Sequence, residues 1–427
     1  MMKILEKTLE RAYHSKILFI VIIFICSAAV RGYIIYKTQN MNNFIDNCIY
    51  VNMGRLVSHG VNPYDFNDNI ELRKTFRNDQ IAYYDLVSET QERWDYYASS
   101  NLPLTGLYLG LIDIFFPKNA LAYRLSFAFV DIILCILIGL FIREFWKKET
   151  SIFVSWFFVL GLGACNLILL RWGIYMPEEK NLQIVLMLSS LYCALKSRLF
   201  LSSILLGCSV AFKGIGVLIG PILLFIWMEK TNDYPHRYMR IFFLCALSLI
   251  SCFIWFIPYY PEVFTMMYVR LSGGASYAGS SSPWALIYPL IGDYWKIVRI
   301  FIIGIVVSVS FITTIKIKFN YQIFFLGILY SFTVLWLSTG SLDRNNIAVL
   351  YIVLSMGLIQ SINYKLLASA YILLYAICMG MTFFFAGKQT MFYSQKYDQI
   401  YLLLFTIVYI AELLRYCLST IKLKKVI

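Results

Sequence analysis

The sequence predicts an all-α fold, a polytopic membrane bundle of about twelve helical spans, on three observations. The first is composition. The 427 residues are 60% hydrophobic and 17% aromatic but only 14% charged, against about 25% charged in a soluble domain. The second is a run length. Apolar stretches of roughly 17 to 24 residues recur to the C-terminus, each long enough to cross about 30 Å of hydrocarbon as a helix. The third is charge placement. The basic residues behind the net charge of +13 stand in short patches at the ends of these stretches, the pattern that orients spans. That placement argues against nucleic acid as a partner.

Taken in order, Lys3, Lys7, Arg11 and Lys16 precede the first span, 17–36, and put the N-terminus in the cytoplasm. Ile17 to Val30 has the length of a signal-peptide core. Arg31-Gly32-Tyr33 follows in place of a small-residue cleavage site, so a retained helix is expected. The polar interval 37–102 then faces outward, with nine of the 24 acidic residues against six basic ones. Inside it, Phe44, Cys48, Val51 and Leu56 recur at helical spacing and predict an amphipathic helix on the membrane surface. Pro103 to Phe116 is apolar but short, which suits an interfacial or re-entrant segment better than a crossing. Residues 37–118 therefore form one external loop with juxtamembrane helices and a membrane-dipping end.

If 103–116 does not cross, the next helix delivers Arg143, Lys147 and Lys148 to the cytoplasm. The same phase places Lys196 and Arg198, then Lys230, Arg237 and Arg240, inside. Lys316 and Lys318, Lys365, and finally Lys422, Lys424 and Lys425 follow them. Both termini are then cytoplasmic. The expected spans are 17–36, 119–142, 151–170, 182–197, 199–212, 214–228, 240–258, 297–315, 321–338, 345–361, 365–385 and 399–418, within one membrane domain, 1–427. Outside lie 171–181, the turn at Lys213, 259–296, 338–344 and 386–398. In 259–296 the run Ser272-Gly273-Gly274-Ala275-Ser276, continuing to Pro283, has the composition of a flexible segment, either a lid or a plain connection.

Several chemistries lack their residues. Nine of the 10 cysteines fall in apolar runs, with Cys48 alone in the long loop, so no disulfide framework is implied. His14, His59 and His236 are scattered and no Cys/His spacing suits zinc, so no metal is expected. There is no Walker loop, since Lys213-Gly214 lacks the preceding glycines, and no dinucleotide fingerprint. No cofactor is expected.

The residues that carry chemistry lie in the outward elements. Asp46, near the start of the surface helix, is either a helix-start acid or a general base held at the hydrocarbon boundary. Gly60-Val61-Asn62-Pro63-Tyr64 is a turn by composition, with Asn62 and Tyr64 as candidate substrate contacts, just after His59, which is either a substrate contact or a surface histidine. Lys213 lies between two apolar helices, where a cation is costly; it either snorkels to water or binds an anionic group. Glu178 and Glu179 follow Pro177 as first-turn acids. Asp343 opens a late span and Arg344 can clamp a phosphate or a hydroxyl. Asp113 and Asp131 stand within apolar runs, where polar side chains face the bundle interior.

The order span, loop Asp46, Gly60-Val61-Asn62-Pro63-Tyr64, the aromatic run Trp94-Asp95-Tyr96-Tyr97, then Pro103-Leu104 resembles the GT-C superfamily of membrane glycosyltransferases. Within it, the chain is most similar to the bacterial polyprenyl-phosphate-mannose-dependent mannosyltransferases. The likeness covers residues 40–110, with a looser one over Gly207 to Pro221. Leu102-Pro103 stands where the family has paired prolines, and the interval 65–95 is long. The resemblance implies a GT-C type bundle and transfer of a hexose, mannose first, from a polyprenyl-phosphate donor to a glycan or glycolipid acceptor on the outer face of the cell membrane. It implies Asp46 as the base, inversion at the sugar, and Lys213 facing the lipid phosphate. It also implies an acid of the second loop, Glu178 or Glu179, at the site. Two other functions stay open: a polymerase of lipid-linked repeat units, and a transporter or flippase of lipid-linked solutes.

Overall fold

Ser15 divides the amino terminus into two helices, α1 (Met2–His14) and α2 (Lys16–Lys37). Its backbone is extended and its hydroxyl accepts from the Leu18 N–H at 3.5 Å, which satisfies one of the N–H groups a helix start leaves open. α2 has 22 residues, about 33 Å at about 1.5 Å per residue. Its buried residues, Phe19, Ile23, Ser27, Arg31 and Ile35, recur at every fourth position and form one face. Ile17, Ile25 and Tyr33 on the other faces are exposed although apolar.

This is a computed structural model that describes residues 2–39, 45–65, 67–78, 101–145, 151–164, 170, 174, 180–273, 290–294, 297–298 and 301. After α2 come α3 (Ile45–Ser58), α4 (Ile70–Asn78), α5 (Pro103–Phe115), α6 (Ala120–Phe145) and α7 (Ile152–Val159). Then follow α8 (Lys180–Leu195), α9 (Leu199–Phe212), α10 (Gly220–Lys230), α11 (Arg237–Phe253) and α12 (Glu262–Gly273). Among the described residues every regular element is helical and there is no strand. The all-α class holds.

By packing, the chain divides into two units, Met1–Leu271 and Ser272–Ile427. In the second, a short 3-10 turn at Gly292–Tyr294 is the main described element. The expected spans from 321 onward, and the Gly/Ser run after Gly273, lie outside the described residues.

Among the described residues two helices, Lys16–Lys37 and Ala120–Glu144, are long and apolar enough to cross a membrane. The first is mostly exposed and the second mostly buried, so α2 is peripheral and α6 central. Pro103–Phe115, Asn181–Leu195 and Leu199–Phe212 are apolar but shorter. The bounds of α9 coincide with the apolar run 199–212. Two expected continuous helices are interrupted. The run 151–170 is α-helical only to Val159 and passes into a π-helical turn at Leu160–Ala164. The run 214–228 opens as a 3-10 helix, Gly214–Ile219, before α10 begins. Pro221 explains the second break: it has no N–H to continue the 3-10 ladder, and the first turn of a helix is where that loss costs nothing.

The largest buried cluster that concerns function gathers Tyr50, Val51 and Met53 of α3, Leu109 and Ile112 of α5, and Tyr123 and Phe127 of α6. Ala211 and Phe212 at the end of α9, Phe256, Tyr259 and Val263 complete its far side. Elements separated by up to two hundred residues thus meet at one end of the helical assembly.

Candidate functional site

The floor of this site is the pair α3 and α5. Pro103 starts α5 after the extended Leu102, and Gly106 and Gly110 stand one turn apart on its buried face. A Cβ on Gly106 would lie 2.7 Å from Met53 Cε, and one on Gly110 would lie 2.7 Å from Val57 Cγ1. On α3, a Cβ on Gly54 would lie 2.7 Å from the Leu109 carbonyl oxygen. Small residues at this spacing let two helix backbones approach closely. Asp113 locks the far end of the pair: it is buried, accepts the Ser58 hydroxyl at 2.7 Å, and accepts the Lys118 N–H at 3.2 Å. Asp113 is structural.

Asp46 lies in the first turn of α3, one turn before Tyr50. Its side chain lies outside the described residues.

The turn after α3 follows from its residues. Gly60 takes φ +72°, the left-handed region that a side chain disfavours. Asn62 Oδ1 accepts the Tyr64 N–H at 3.0 Å across Pro63, a local turn of the type asparagine makes. Asn62 Nδ2 donates to Glu262 Oε2 at 3.3 Å, and its backbone N–H donates to Asp68 Oδ2 at 2.7 Å. Tyr64 is buried, donates its hydroxyl to the Asn101 carbonyl at 2.6 Å, and meets the Tyr259 ring edge-on at 5.3 Å. Both polar side chains are therefore engaged in holding the loop to α12 and to the start of α5. Substrate contact by Asn62 or Tyr64 would have to displace these bonds. His59 is different. It is exposed, with Nδ1 2.8 Å from the Arg55 carbonyl and its ring 5.0 Å from Phe76.

Two arginines that the sequence reading passed over carry this loop. Arg73 of α4 is buried and donates from Nε to the Asp68 carbonyl at 2.8 Å and from Nη2 to the Asp65 and Asn62 carbonyls. Arg55 of α3 is buried with its guanidinium 3.9 Å from the Phe76 ring centre. Neither sits in a periodic pattern, and their acceptors are backbone carbonyls, which no residue type signals. Tyr259 stays protonated, because burial raises its hydroxyl above the ordinary tyrosine value, so it is no candidate base.

Lys213 stands at the joint between α9 and the 3-10 turn. Its backbone is extended, its N–H donates to the Ser209 carbonyl at 3.1 Å, and its side chain is half-buried. The residue before it is held on α5: the buried Thr105 hydroxyl donates to the Phe212 carbonyl at 3.0 Å. A row of rings joins the same joint to α3. Tyr50 lies 5.3 Å from Phe127, Phe127 lies 6.2 Å from Tyr108, and Tyr108 lies 6.2 Å from Phe212. The helix that bears Asp46 and the joint that bears Lys213 thus share one packed end. Nothing in the linear sequence brings 46 and 213 together.

A second set of charges lies deeper. Arg31 of α2 and Asp131 of α6 are both fully buried and pair at 2.7 Å. Arg31 also donates from Nη1 to the Ala164 carbonyl at 2.9 Å and from Nη2 to Cys135 Sγ at 3.0 Å. Asp131 Oδ1 accepts from Asn181 Nδ2 at 2.9 Å. All three guanidinium nitrogens and both carboxylate oxygens have protein partners, so the pair is a fixed strut between α2, α6, the π-helical turn and α8. Arg124 does similar work, donating to the Ile174 carbonyl at 2.7 Å and to the Thr38 carbonyl at 2.7 Å. These bonds hold the flanks of 165–179, the segment that carries Glu178 and Glu179.

Glu178, Glu179, Asp343 and Arg344 lie outside the described residues. Among the described residues no three His, Cys, Asp or Glu side chains gather as metal ligands. No protein-family model, no curated protein and no solved structure matches this chain.

Proposed function

We propose that this chain is an integral-membrane glycosyltransferase of GT-C type with both termini in the cytoplasm. It moves a hexose, mannose as the first sugar to test, from a polyprenyl-phosphate donor to a glycan or glycolipid hydroxyl at the outer face of the cell membrane. Asp46 takes the proton from the acceptor hydroxyl. The acceptor oxygen bonds to the anomeric carbon from the side opposite the phosphate, the bond from that carbon to the phosphate oxygen breaks, and the configuration inverts. Lys213 steadies the negative charge that grows on the departing polyprenyl phosphate, as a fixed cation does without reorganising. Arg344, Asp343 and an acid of the second loop complete the substrate contacts in this reading, with His59 at the rim.

The observation that supports the reading best is the bond from Thr105 to the Phe212 carbonyl, which ties the Lys213 joint to the first-loop platform at 3.0 Å. A base on α3 and a cation on that joint then serve one end of the molecule. The strut at Arg31 and Asp131 speaks against a solute path through the spans, since its polar atoms are already engaged.

The test offers purified protein two donors, a single sugar on polyprenyl phosphate and a lipid-linked oligosaccharide. Transfer from the first alone is expected, with stoichiometric release of polyprenyl phosphate. Elongation of the second alone points to the polymerase. Movement of lipid-linked solute across a vesicle with no covalent product points to the transporter.

A further inference from the structure

α9 has the Lys213 joint at one end and, 14 residues back at Leu199, a cavity at the other. The two are about 20 Å apart along the helix, at about 1.5 Å per residue. The cavity measures about 520 Å³, within the size range of small-molecule sites. Its walls are Phe200 of α9 with Met239, Phe243 and Leu244 of α11. The Phe200 and Phe243 rings stack at 6.4 Å with their faces 22° apart. Both are more than half exposed, as is Met239, so this apolar wall opens outward rather than into a packed core.

Of the polar lining residues, Thr231 is buried with its hydroxyl donated to the Trp227 carbonyl at 2.6 Å, and His236 and Arg240 are exposed at the mouth. Arg240 lies one turn of α11 before Phe243 and Leu244, with its guanidinium 4.4 Å from the Tyr234 ring centre. His236 precedes α11 in a left-handed backbone conformation, and its carbonyl accepts the Arg240 N–H at 3.1 Å. Arg198 precedes α9, Lys230 ends α10 and Arg237 opens α11, with Glu229 and Asp233 near them in the chain. A cation at the mouth and about 5 Å of helix leading to an apolar, open wall match a phosphate joined to hydrocarbon. A free phosphate leaves that wall unused, and a zwitterionic lipid brings a choline cation beside Arg240.

We propose that this cavity binds an anionic phospholipid of the cytoplasmic leaflet, phosphate at Arg240 and acyl chain along Phe200, Met239 and Phe243. The site is separate from the Lys213 end and does not depend on the transferase chemistry. It rests on the chain being embedded in a membrane with this basic end inward.

The test is native mass spectrometry of the full chain released from detergent micelles. Equal amounts of phosphatidylglycerol or phosphatidylcholine, or inorganic phosphate, are added. Phosphatidylglycerol adducts are expected on the wild type in preference to the other two. Arg240→Gln is expected to lower their occupancy about tenfold, the loss of one charge-assisted hydrogen bond. Met239→Trp fills the cavity at a residue 64% exposed, so it leaves the fold intact while removing the adduct. Lys16→Gln, on a basic residue away from the cavity, should leave it unchanged. Equal binding of phosphatidylcholine, equal loss in Lys16→Gln, or an unaltered adduct in both cavity variants overturns the proposal. Adducts of inorganic phosphate alone replace it with a free-anion site. A wild type that leaves the membrane fraction without detergent would remove the embedding instead, and so is told apart from failure of the site.

Discussion

Asp46→Asn is expected to lower the rate of sugar transfer about 10²- to 10⁴-fold, the usual contribution of a positioned general base. The amide has the same shape but no basic oxygen, so it cannot accept the acceptor's proton as the new bond forms. The loss should fall on kcat, with the KM for the donor nearly unchanged, because the donor phosphate is assigned to Lys213. The structural role of the residue is small by comparison. Asp46 lies in the first turn of α3, where a carboxylate contributes about 0.3 to 1 kcal/mol through the helix dipole. Thermal unfolding of the variant in detergent should therefore stay close to wild type. Initial rates on matched preparations check this, and near-normal transfer removes Asp46 as the base.

Arg31→Met is expected to destabilise the fold by about 3 to 5 kcal/mol, the cost of leaving one member of a buried ion pair alone. Asp131 would then be buried with only Asn181 to bond it, and the Ala164 carbonyl would lose its donor. The double variant Arg31→Met with Asp131→Leu should recover most of the loss, since an apolar pair of similar volume replaces the charges without an orphan. Denaturant-dependent unfolding of the three proteins in matched micelles checks the pattern. A double variant as unstable as the single would mean that the pair holds the helices by something other than charge. If the strut also positions the loop carrying Glu178 and Glu179, transfer should fall with the single variant and return with the double.

Much of the helical order was legible because it rests on local rules. Apolar runs and Pro103 opening α5 act within a few residues of where they are read. The amphipathic helix expected from Phe44 to Val57 appears as Ile45–Ser58. The breaks at Leu160 and Gly214 were not legible from apolar run length, since a run of this composition is equally apolar whether its backbone is α, π or 3-10. Of the site, Asp46, the turn after Gly60 and Lys213 could be singled out as residue types in unusual places. What ties them together could not. Thr105 to the Phe212 carbonyl and Asn62 to Glu262 join distant segments, and Arg73 gathers three carbonyls of its own loop; most of these acceptors are backbone groups that carry no sequence signal. Asn62 and Tyr64 illustrate the consequence. As residue types they suggest recognition, yet their polar atoms are engaged in anchoring the loop. Asp131 stood out as a carboxylate in an apolar run, but its partner Arg31 is a hundred residues earlier and read only as part of the stretch that stands in place of a cleavage site.

In the proposed reaction Lys213 receives the donor phosphate and the Asp46 end of α3 faces the sugar. An experimental structure of the full chain with polyprenyl phosphate bound tests it directly. The phosphate is expected within about 3 Å of Lys213 Nζ, hydrogen-bonding distance, with the Asp46 carboxylate lining the space in front of it. A phosphate bound away from Lys213, or an Asp46 carboxylate turned away from the bound phosphate, would contradict these roles.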